Sequence, residues 1–395
     1  MIKIKIILSI VSIILLLGIG YFFSSNRKAI KHKTIIAGIL IQMILMAFVL
    51  KVPVGAKVLR ATALGVQKIV NFGNEGLAFV FGDLATKGFV FAINILALII
   101  FVSALISLLQ YIGVIPLLVK YIGKGIARIL GTTEVETFNA VGNIVLGQTE
   151  APLLIKPYLN DLTESELFAV MVSGMASASA SILIGYNALG IPMEYLLIAI
   201  FITPFSSLMI AKLMMPETAL SKTLNAKVEK SSAVNVFEAI GEGTYNGLML
   251  ALNVGAMLIA FIGLVALVNA FLGIFGMDLS KILGFIFYPL GILFGIPKNE
   301  VMIFASSIGT KFAVNEFVAF LSLKESLANI SPRTLAILSV SLCNFANFSS
   351  IGIMLGGFNA FAPDRKSDVA RLGIKALIAA TLTTLISGAI VGMFI

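Results

Sequence analysis

Residues 138–159, FNAVGNIVLGQTEAPLLIKPYL, contain a polar triplet, QTE, inside an otherwise apolar stretch. We expect Thr149 to cap a helix that begins at Glu150, because threonine is a favoured N-cap residue and Pro152 fits a first helical turn. Residues 134–146, which precede the triplet, predict another short helix. Each helix is too short to cross a bilayer, which takes about 20 residues.

Two short helices that meet at polar residues predict a re-entrant hairpin, which we place at residues 133–160 and name the first hairpin. Its tip would bring polar side chains, free carbonyl groups and a helix N-terminus to the middle of the membrane. Such broken helices are tolerated only where they line a cavity or are buried in protein. The stretch therefore predicts a binding site inside a membrane protein.

The composition places the chain among all-α polytopic membrane proteins. Of its 395 residues, 59% are hydrophobic and 12% are charged, and the mean hydropathy is +1.06, whereas soluble domains have about 25% charged residues. The single cysteine, Cys343, cannot form a disulfide within the chain. The net charge of +9 does not indicate a nucleic-acid partner, because no basic stretch is interleaved with exposed aromatic residues. Basic residues of membrane proteins gather in cytoplasmic loops and beside lipid headgroups.

Eight stretches are long and apolar enough to predict transmembrane helices. We expect the first to be retained, because its apolar run exceeds a signal-peptide core of about 7–15 residues and no small-residue cleavage site follows. Residues 54–85 are amphipathic and predict an interfacial helix. The predicted spans are residues 4–23, 34–50, 89–110, 167–187, 195–213, 247–272, 334–357 and 376–395.

The placement of Lys and Arg predicts that both termini lie outside. In that orientation the basic residues within 27–33, 120–128, 212–230 and 365–375 fall on the cytoplasmic side, as the positive-inside rule requires. The short loop 188–194 has no Lys or Arg and suits the outer face. We therefore expect a multi-pass protein of the plasma (inner) membrane.

The order of segments recurs along the chain, with a second broken segment, the second hairpin, at residues 298–323. Glu150 and Glu316, at the middle of the two hairpins, are 166 residues apart. Three spans separate the two repeat starts, so the repeats are inverted, which is typical of secondary transporters with a site at mid-membrane. The predicted divisions are 1–88 (N-terminal spans and interfacial helix), 89–213 (first repeat), 214–246 (cytoplasmic loop and linker) and 247–395 (second repeat).

Several polar residues inside the predicted spans are candidates for binding. Ionisable residues such as Glu150 and Glu316 are functional by default within a membrane, although a structural charge is the alternative. Close helix packing also explains the serine-rich runs. The carbonyl groups of Asn143 and Asn347, together with serine hydroxyls and free backbone carbonyls, suit a hard monovalent cation such as sodium. Enzyme motifs are absent, and the only histidine, His32, lies in a basic loop; we expect no enzyme and no cofactor besides a coupling ion.

Four motifs resemble the concentrative nucleoside transporter family, and the resemblance covers essentially the whole chain. It implies a cation-coupled importer of nucleosides such as uridine, assembled as a homotrimer in the lipid bilayer. In each protomer a transport subdomain would move like an elevator against a scaffold subdomain. The motifs are GNIVLGQTEAPLLIKPYL (142–159), GMASASASILIGY (174–186), AVNEFVAF (313–320) and CNFANFSSIGI (343–353).

The resemblance also implies roles for particular residues, in two groups that bind the two ends of a nucleoside. The base group would contact the nucleobase, and the ribose group would bond the ribose hydroxyls, with a phenylalanine packed beside the nucleoside. The base group is Gln148, Thr149, Glu150 and Ile182, and the ribose group is Glu316, Phe345, Asn347 and Ser350.

The sodium site of the family maps to Asn143 and Ser177, plus the backbone carbonyls of Leu146 and Ala178. Some bacterial relatives use protons instead, and proton-coupled uptake is the alternative for this chain. Since GQTEAP, Asn143 and Ser177 are all present, sodium is favoured. A nucleoside-gated channel is an alternative of another class, and it would conduct without accumulating its substrate.

Overall fold

The computed structural model describes residues 2–86, 90–223 and 226–395, and every regular element in these residues is a helix. The fold is that of an all-α polytopic membrane protein, as predicted. Seven helical segments in the described residues are long and apolar enough to cross a membrane. They are Ile4–Phe22, His32–Lys51, Ala92–Tyr111, Glu164–Ala188, Met193–Met214, Val236–Gly273 and Pro363–Phe394.

The N-terminal part consists of two apolar helices followed by a long amphipathic helix. Pro53 occupies the first turn of this third helix, where its missing N–H costs nothing. The buried residues of the helix recur at intervals of three, four and seven residues, so they share one face. The elements are α1 (Ile2–Phe22), α2 (His32–Lys51), α3 (Pro53–Phe81) and the short α4 (Asp83–Thr86).

The next part follows the order predicted for the first repeat, except that two short helices replace the predicted glycine- and serine-rich span: a span, an amphipathic helix, the broken segment around Glu150, the two short helices, and a span. Its predicted start, residue 89, lies outside the described residues. The elements are a π-helical turn Ala92–Leu96 leading into α5 (Ala97–Tyr111), α6 (Val114–Leu130), α7 (Glu134–Gly142) with a 3-10 helix Ala151–Tyr158, α8 (Glu164–Ala176) with α9 (Ala180–Ala188), and α10 (Met193–Met214).

The last part repeats this order of elements. Its first helix begins at Val236, inside the predicted linker 214–246, because Asn235 caps it by accepting a hydrogen bond from the Glu238 backbone N–H at 2.9 Å. The elements are α11 (Val236–Gly273), α12 (Leu279–Leu293), α13 (Val301–Ala313) with α14 (Glu316–Lys324), α15 (Pro332–Leu342) with α16 (Phe348–Phe361), and α17 (Lys366–Phe394).

The predicted continuous span 334–357 is wrong. The chain leaves the helical conformation after Leu342 and resumes it at Phe348. The cause is Asn347, whose side chain accepts a hydrogen bond from the Ser350 backbone N–H and so starts a new helix. The predicted span 167–187 is also interrupted, at residues 177–179, where no side chain caps the helix that follows. Both helices that follow a hairpin are therefore broken.

The tip of the first hairpin also differs from its prediction. α7 ends at Gly142, and the next helix begins at Ala151 without a side-chain cap. Thr149 does not cap it. Instead the Oε2 atom of Glu150 accepts a hydrogen bond from the Gly147 backbone N–H at 3.1 Å. The carboxylate thus folds back onto the tip, and residues 143–150 form turns rather than helix.

The helices differ in how far the rest of the chain covers them. α10 and α17 pack against each other and against several other helices, and 89% of the apolar window of α10 is buried. The corresponding window of α11 is only 11% buried, and α11 packs mainly on α5. The apolar surface of α11 therefore faces lipid or another protein.

Small residues allow α11 to approach α5 closely. A Cβ atom added at Gly243 would lie 2.7 Å from the backbone oxygen of Ser103, and one at Gly247 would lie 2.8 Å from the Cα of Ile100. Together with the buried Ala251, these glycines place a small residue at every fourth position of α11. This spacing favours close helix contact in membranes.

We predict that Gly247→Ala lowers the melting temperature of the purified protein in detergent. The added methyl group overpacks the interface of α11 with α5, at a cost of about 1–3 kcal/mol. Gly263→Ala on the same helix is the matched control, because no atom lies within 4 Å of its Cβ position. Equal melting temperatures for the two variants would contradict this account of the interface.

Candidate functional site

A cavity of about 750 Å³ opens where the two hairpin tips and the two helix breaks meet, and α11 forms its remaining wall. All eight residues that the sequence places in the base and ribose groups line this cavity. They are Gln148, Thr149, Glu150, Ile182, Glu316, Phe345, Asn347 and Ser350.

The two helix breaks bond directly to each other. The backbone N–H of Phe345, in the second break, donates to the carbonyl oxygen of Ser177, in the first, at 3.0 Å. Helix ends leave backbone N–H and carbonyl groups without helical partners. Here one N–H group of the second break and one carbonyl group of the first break pair with each other. This contact fixes the two breaks side by side at the cavity.

Glu316 anchors the ribose group. Its side chain is buried in the first turn of α14, where a helix N-terminus stabilises negative charge. One carboxylate oxygen accepts from the Tyr186 hydroxyl at 3.1 Å, and the other accepts from Asn347 Nδ2 at 3.0 Å. The carboxylate is therefore held at two points in a defined orientation.

Asn347 extends this network along α16. Its Oδ1 atom accepts from the Ser350 backbone N–H at 3.2 Å and from the Ser349 hydroxyl at 2.6 Å. The hydroxyl of Ser350 also bonds to the Phe345 carbonyl oxygen. A carboxylate, an amide and hydroxyl groups thus form one connected surface, which can bind vicinal hydroxyl groups.

The first hairpin and the first helix break contribute polar groups that lack partners among the residues that the structure describes. Gln148 Oε1 and Ser179 Oγ are buried, and neither has a hydrogen-bond partner in the structure. An unpaired buried polar atom costs about 1–3 kcal/mol. Since both residues line the cavity, a bound molecule with polar edges would satisfy them.

The four predicted sodium ligands lie buried where α7 and α8 end. Asn143 follows α7, Ser177 follows α8, and Leu146 and Ala178 occupy the adjoining non-helical residues. Among the described residues, the buried amide oxygen of Asn143 has no hydrogen-bond partner, whereas its Nδ2 donates to the Asn139 carbonyl at 3.0 Å. An unpaired oxygen beside non-helical backbone carbonyls suits a hard cation.

A backbone hydrogen bond joins the two segments that carry these oxygens, from the Ala180 N–H to the Val145 carbonyl at 3.1 Å. The hydroxyl of Ser177 donates to the Gly174 carbonyl at 3.0 Å, which leaves its lone pairs for a cation. In the part of the chain that the structure describes, no cluster of His, Cys, Asp and Glu offers a site for a transition metal.

Sequence reasoning missed Tyr186 and the whole α11 wall. Tyr186 lies in the motif GMASASASILIGY, but its hydrogen-bond partner Glu316 is 130 residues further along the chain. No local sequence pattern indicates this contact. α11 contributes Asn246 and Asn253 to the cavity. These two asparagines are seven residues apart, so they share one face of an otherwise apolar helix, a pattern that the sequence does contain.

Comparison with known proteins agrees with this arrangement. Three family models match successive parts of the chain: "Na+ dependent nucleoside transporter N-terminus" at residues 11–84, "Nucleoside recognition" at 92–193, and "Na+ dependent nucleoside transporter C-terminus" at 195–392. Together they span nearly its whole length.

Full-length relatives and solved structures are similar as well. An "Uncharacterized transporter" of Haemophilus influenzae is 43% identical over 98% of this chain and 97% of that protein. "Nucleoside permease NupC" of Helicobacter pylori is 41% identical over 98% and 97%. The structure of CNTnw in an inward-facing substrate-bound state is 41% identical, with a TM-score of 0.94 over 98% of both chains. The chain therefore belongs to the family of sodium-dependent nucleoside transporters.

Proposed function

We propose that the chain imports nucleosides such as uridine, driven by a sodium gradient. The observation that carries this proposal is the cavity between the hairpin tips, which joins a buried carboxylate–amide network on one side to unpaired polar atoms on the other. A nucleoside has hydroxyl groups at its ribose end and a flat polar base at its other end, so its two halves match these two sides.

The ribose would bind between the second hairpin and the second helix break. Glu316 accepts hydrogen bonds from hydroxyl groups, while Asn347 and Ser350 offer both donors and acceptors. Phe345 supplies an apolar surface beside the sugar and base. Such a site discriminates against sugars that lack a hydroxyl, because buried polar groups are then left unpaired.

The base would bind at the first hairpin. Gln148 has both an acceptor and donors for a base edge, Thr149 has a hydroxyl and Glu150 has a carboxylate. Ile182 is buried in the cavity wall and would pack on the face of the ring. Gln148, Thr149 and Glu150 sit on a turn rather than on a helix, so their positions depend on what holds the tip.

Sodium would hold that tip. A cation bound by Asn143, Ser177 and the carbonyls of Leu146 and Ala178 would fix the start of the tip to the first helix break. Gln148, Thr149 and Glu150 follow within a few residues and would be ordered by it. The family model's own description as sodium-dependent favours this ion.

Transport would follow an elevator movement in a homotrimer. The weakly covered α11 and its partner α5 belong to the scaffold subdomain in this proposal, and the two hairpins with their broken helices belong to the transport subdomain. Since α11 forms one cavity wall, movement of the transport subdomain along it would expose the nucleoside to one side of the plasma membrane at a time.

We predict that Glu316→Gln nearly abolishes uridine transport. The glutamine would place an NH2 group where one carboxylate oxygen now accepts and would remove the negative charge, and loss of one charged hydrogen bond costs about 1.5–3 kcal/mol, or ~10- to 150-fold in affinity. Glu325→Gln, at the exposed end of the same helix, is the matched control. The measurement is uridine binding and uptake by purified, folded protein.

Deoxyuridines separate a ribose contact from a general loss of structure. The wild type should prefer uridine over 2′- or 3′-deoxyuridine, and Glu316→Gln should lose most of that preference for at least one hydroxyl. If the variant transports like the wild type, or keeps the full preference at reduced affinity, the assignment of Glu316 to the ribose is wrong.

We predict that Asn143→Ala raises the sodium concentration needed for uridine binding, because it removes a side-chain oxygen from the cation. In the wild type, replacing sodium by choline at constant ionic strength should weaken uridine binding. Asn187→Ala is the control: its amide bonds to the Ile191 carbonyl at the end of α9, away from the proposed ion. An unaltered sodium dependence in Asn143→Ala would place the cation elsewhere.

A further inference from the structure

Lys311 is a buried basic residue to which the proposed function assigns no role. Its side chain lies on α13, close to the tip of the second hairpin, and the residue is 2% exposed. The Nζ atom donates to the Ser341 carbonyl oxygen at 3.4 Å, and within the described ranges it forms no ion pair shorter than 4 Å. A buried, unpaired ammonium group is costly, so it calls for an explanation.

The inverted repeat supplies a register in which to compare Lys311 with the first half of the chain. α8 ends at Ala176 and α15 ends at Leu342, an interval of 166 residues. Glu150 and Glu316 are separated by the same interval. The ends of α8 and α15 and the two hairpin carboxylates therefore agree on one alignment of the repeats, in which α13 continues as a helix to Ala313 beyond the counterpart of Gly142, where α7 ends.

In this register the second repeat lacks both side-chain oxygens proposed for sodium. Gly309 stands in the place of Asn143, and Cys343 stands in the place of Ser177. A side chain at position 309 would not fit, because its Cβ would lie 2.6 Å from the Cβ of Leu283. A thiol is a poor ligand for a hard cation. The second repeat therefore cannot build the oxygen site of the first.

Lys311 brings a positive charge to the corresponding position. It aligns with Val145, the neighbour of the proposed ligand Leu146. Its hydrogen bond to Ser341 reaches the last turn of α15, the counterpart of the α8 end that would hold sodium, and carbonyl ends of helices attract cations. The ammonium group also attracts the Glu316 carboxylate electrostatically.

We propose that the Lys311 ammonium takes, in the second repeat, the place that the sodium ion takes in the first, and that it positions the Glu316 carboxylate for the ribose. This inference rests on the proposed sodium-coupled function. Because the lysine ammonium group is covalently attached, it cannot dissociate. The positive charge that attracts the Glu316 carboxylate therefore stays in place at every stage of transport. Only the first hairpin then depends on a sodium ion, and each protomer should bind one sodium per nucleoside.

The test is equilibrium binding of tritiated uridine to purified protein, with and without saturating sodium. We expect Lys311→Met to weaken uridine binding by roughly 10-fold or more in both conditions, while the factor by which sodium strengthens binding stays unchanged. Lys311→Arg keeps the charge and should recover most of the affinity. Lys298→Met, which removes an exposed lysine at the base of the same hairpin, should bind like the wild type.

A double-mutant cycle separates positioning of Glu316 from a merely structural role. If Lys311 acts through Glu316, then Glu316→Gln costs less affinity in the Lys311→Met background than in the wild type. Additive losses, or wild-type affinity in folded Lys311→Met, would overturn the proposal. The wild type alone also tests it: sodium should promote uridine binding with a Hill coefficient near 1, and a coefficient near 2 would overturn it.

The two proposals fail differently. Uridine binding that ignores sodium in the wild type would refute sodium coupling and, with it, the comparison of Lys311 to an ion. Normal sodium dependence combined with wild-type affinity in Lys311→Met would refute the role of Lys311 alone.

Discussion

The hydrogen bond from the Phe345 backbone to the Ser177 carbonyl addresses the main constraint on this fold, which is that a membrane supplies no water to unpaired backbone groups. Two helices break in the interior, and each break would be unstable alone. Placed side by side, they pair a backbone N–H group of the second break with a carbonyl group of the first, and side chains from both breaks line the cavity. The cavity and its polar wall both follow from this one arrangement.

Much of the fold was predictable because the interrupting residues are polar and local. The hairpins and the recurring order of segments follow from Glu150 and Glu316 in apolar surroundings. The break at residues 343–347 was not predictable from hydropathy, because the segment stays apolar on average and Asn347 acts as a cap only once the chain turns. The turn that replaced the expected Thr149 cap likewise depends on where the Glu150 carboxylate points.

The site residues also fall into two groups: those that the local sequence indicates, and those whose role depends on contacts between distant segments. All eight residues proposed to bind a nucleoside lie in the four motifs that resemble a known family, and all eight line one cavity, so that resemblance was enough to find them. Tyr186 and α11 were missed because their contribution depends on packing between distant segments. The inverted repeat adds a comparison within the chain. Asn143, a proposed sodium ligand, aligns with Gly309, where an added Cβ atom would lie 2.6 Å from the Cβ of Leu283.

Sodium coupling would connect the oxygen atoms at the first hairpin to movement of a nucleoside against its gradient. It can be tested by tritiated uridine uptake into proteoliposomes, with an inward sodium gradient compared with an equal potassium gradient. With sodium coupling, uridine should accumulate above equilibrium in the sodium gradient only. Equal accumulation with both ions, or no uptake by folded protein in either condition, would contradict it.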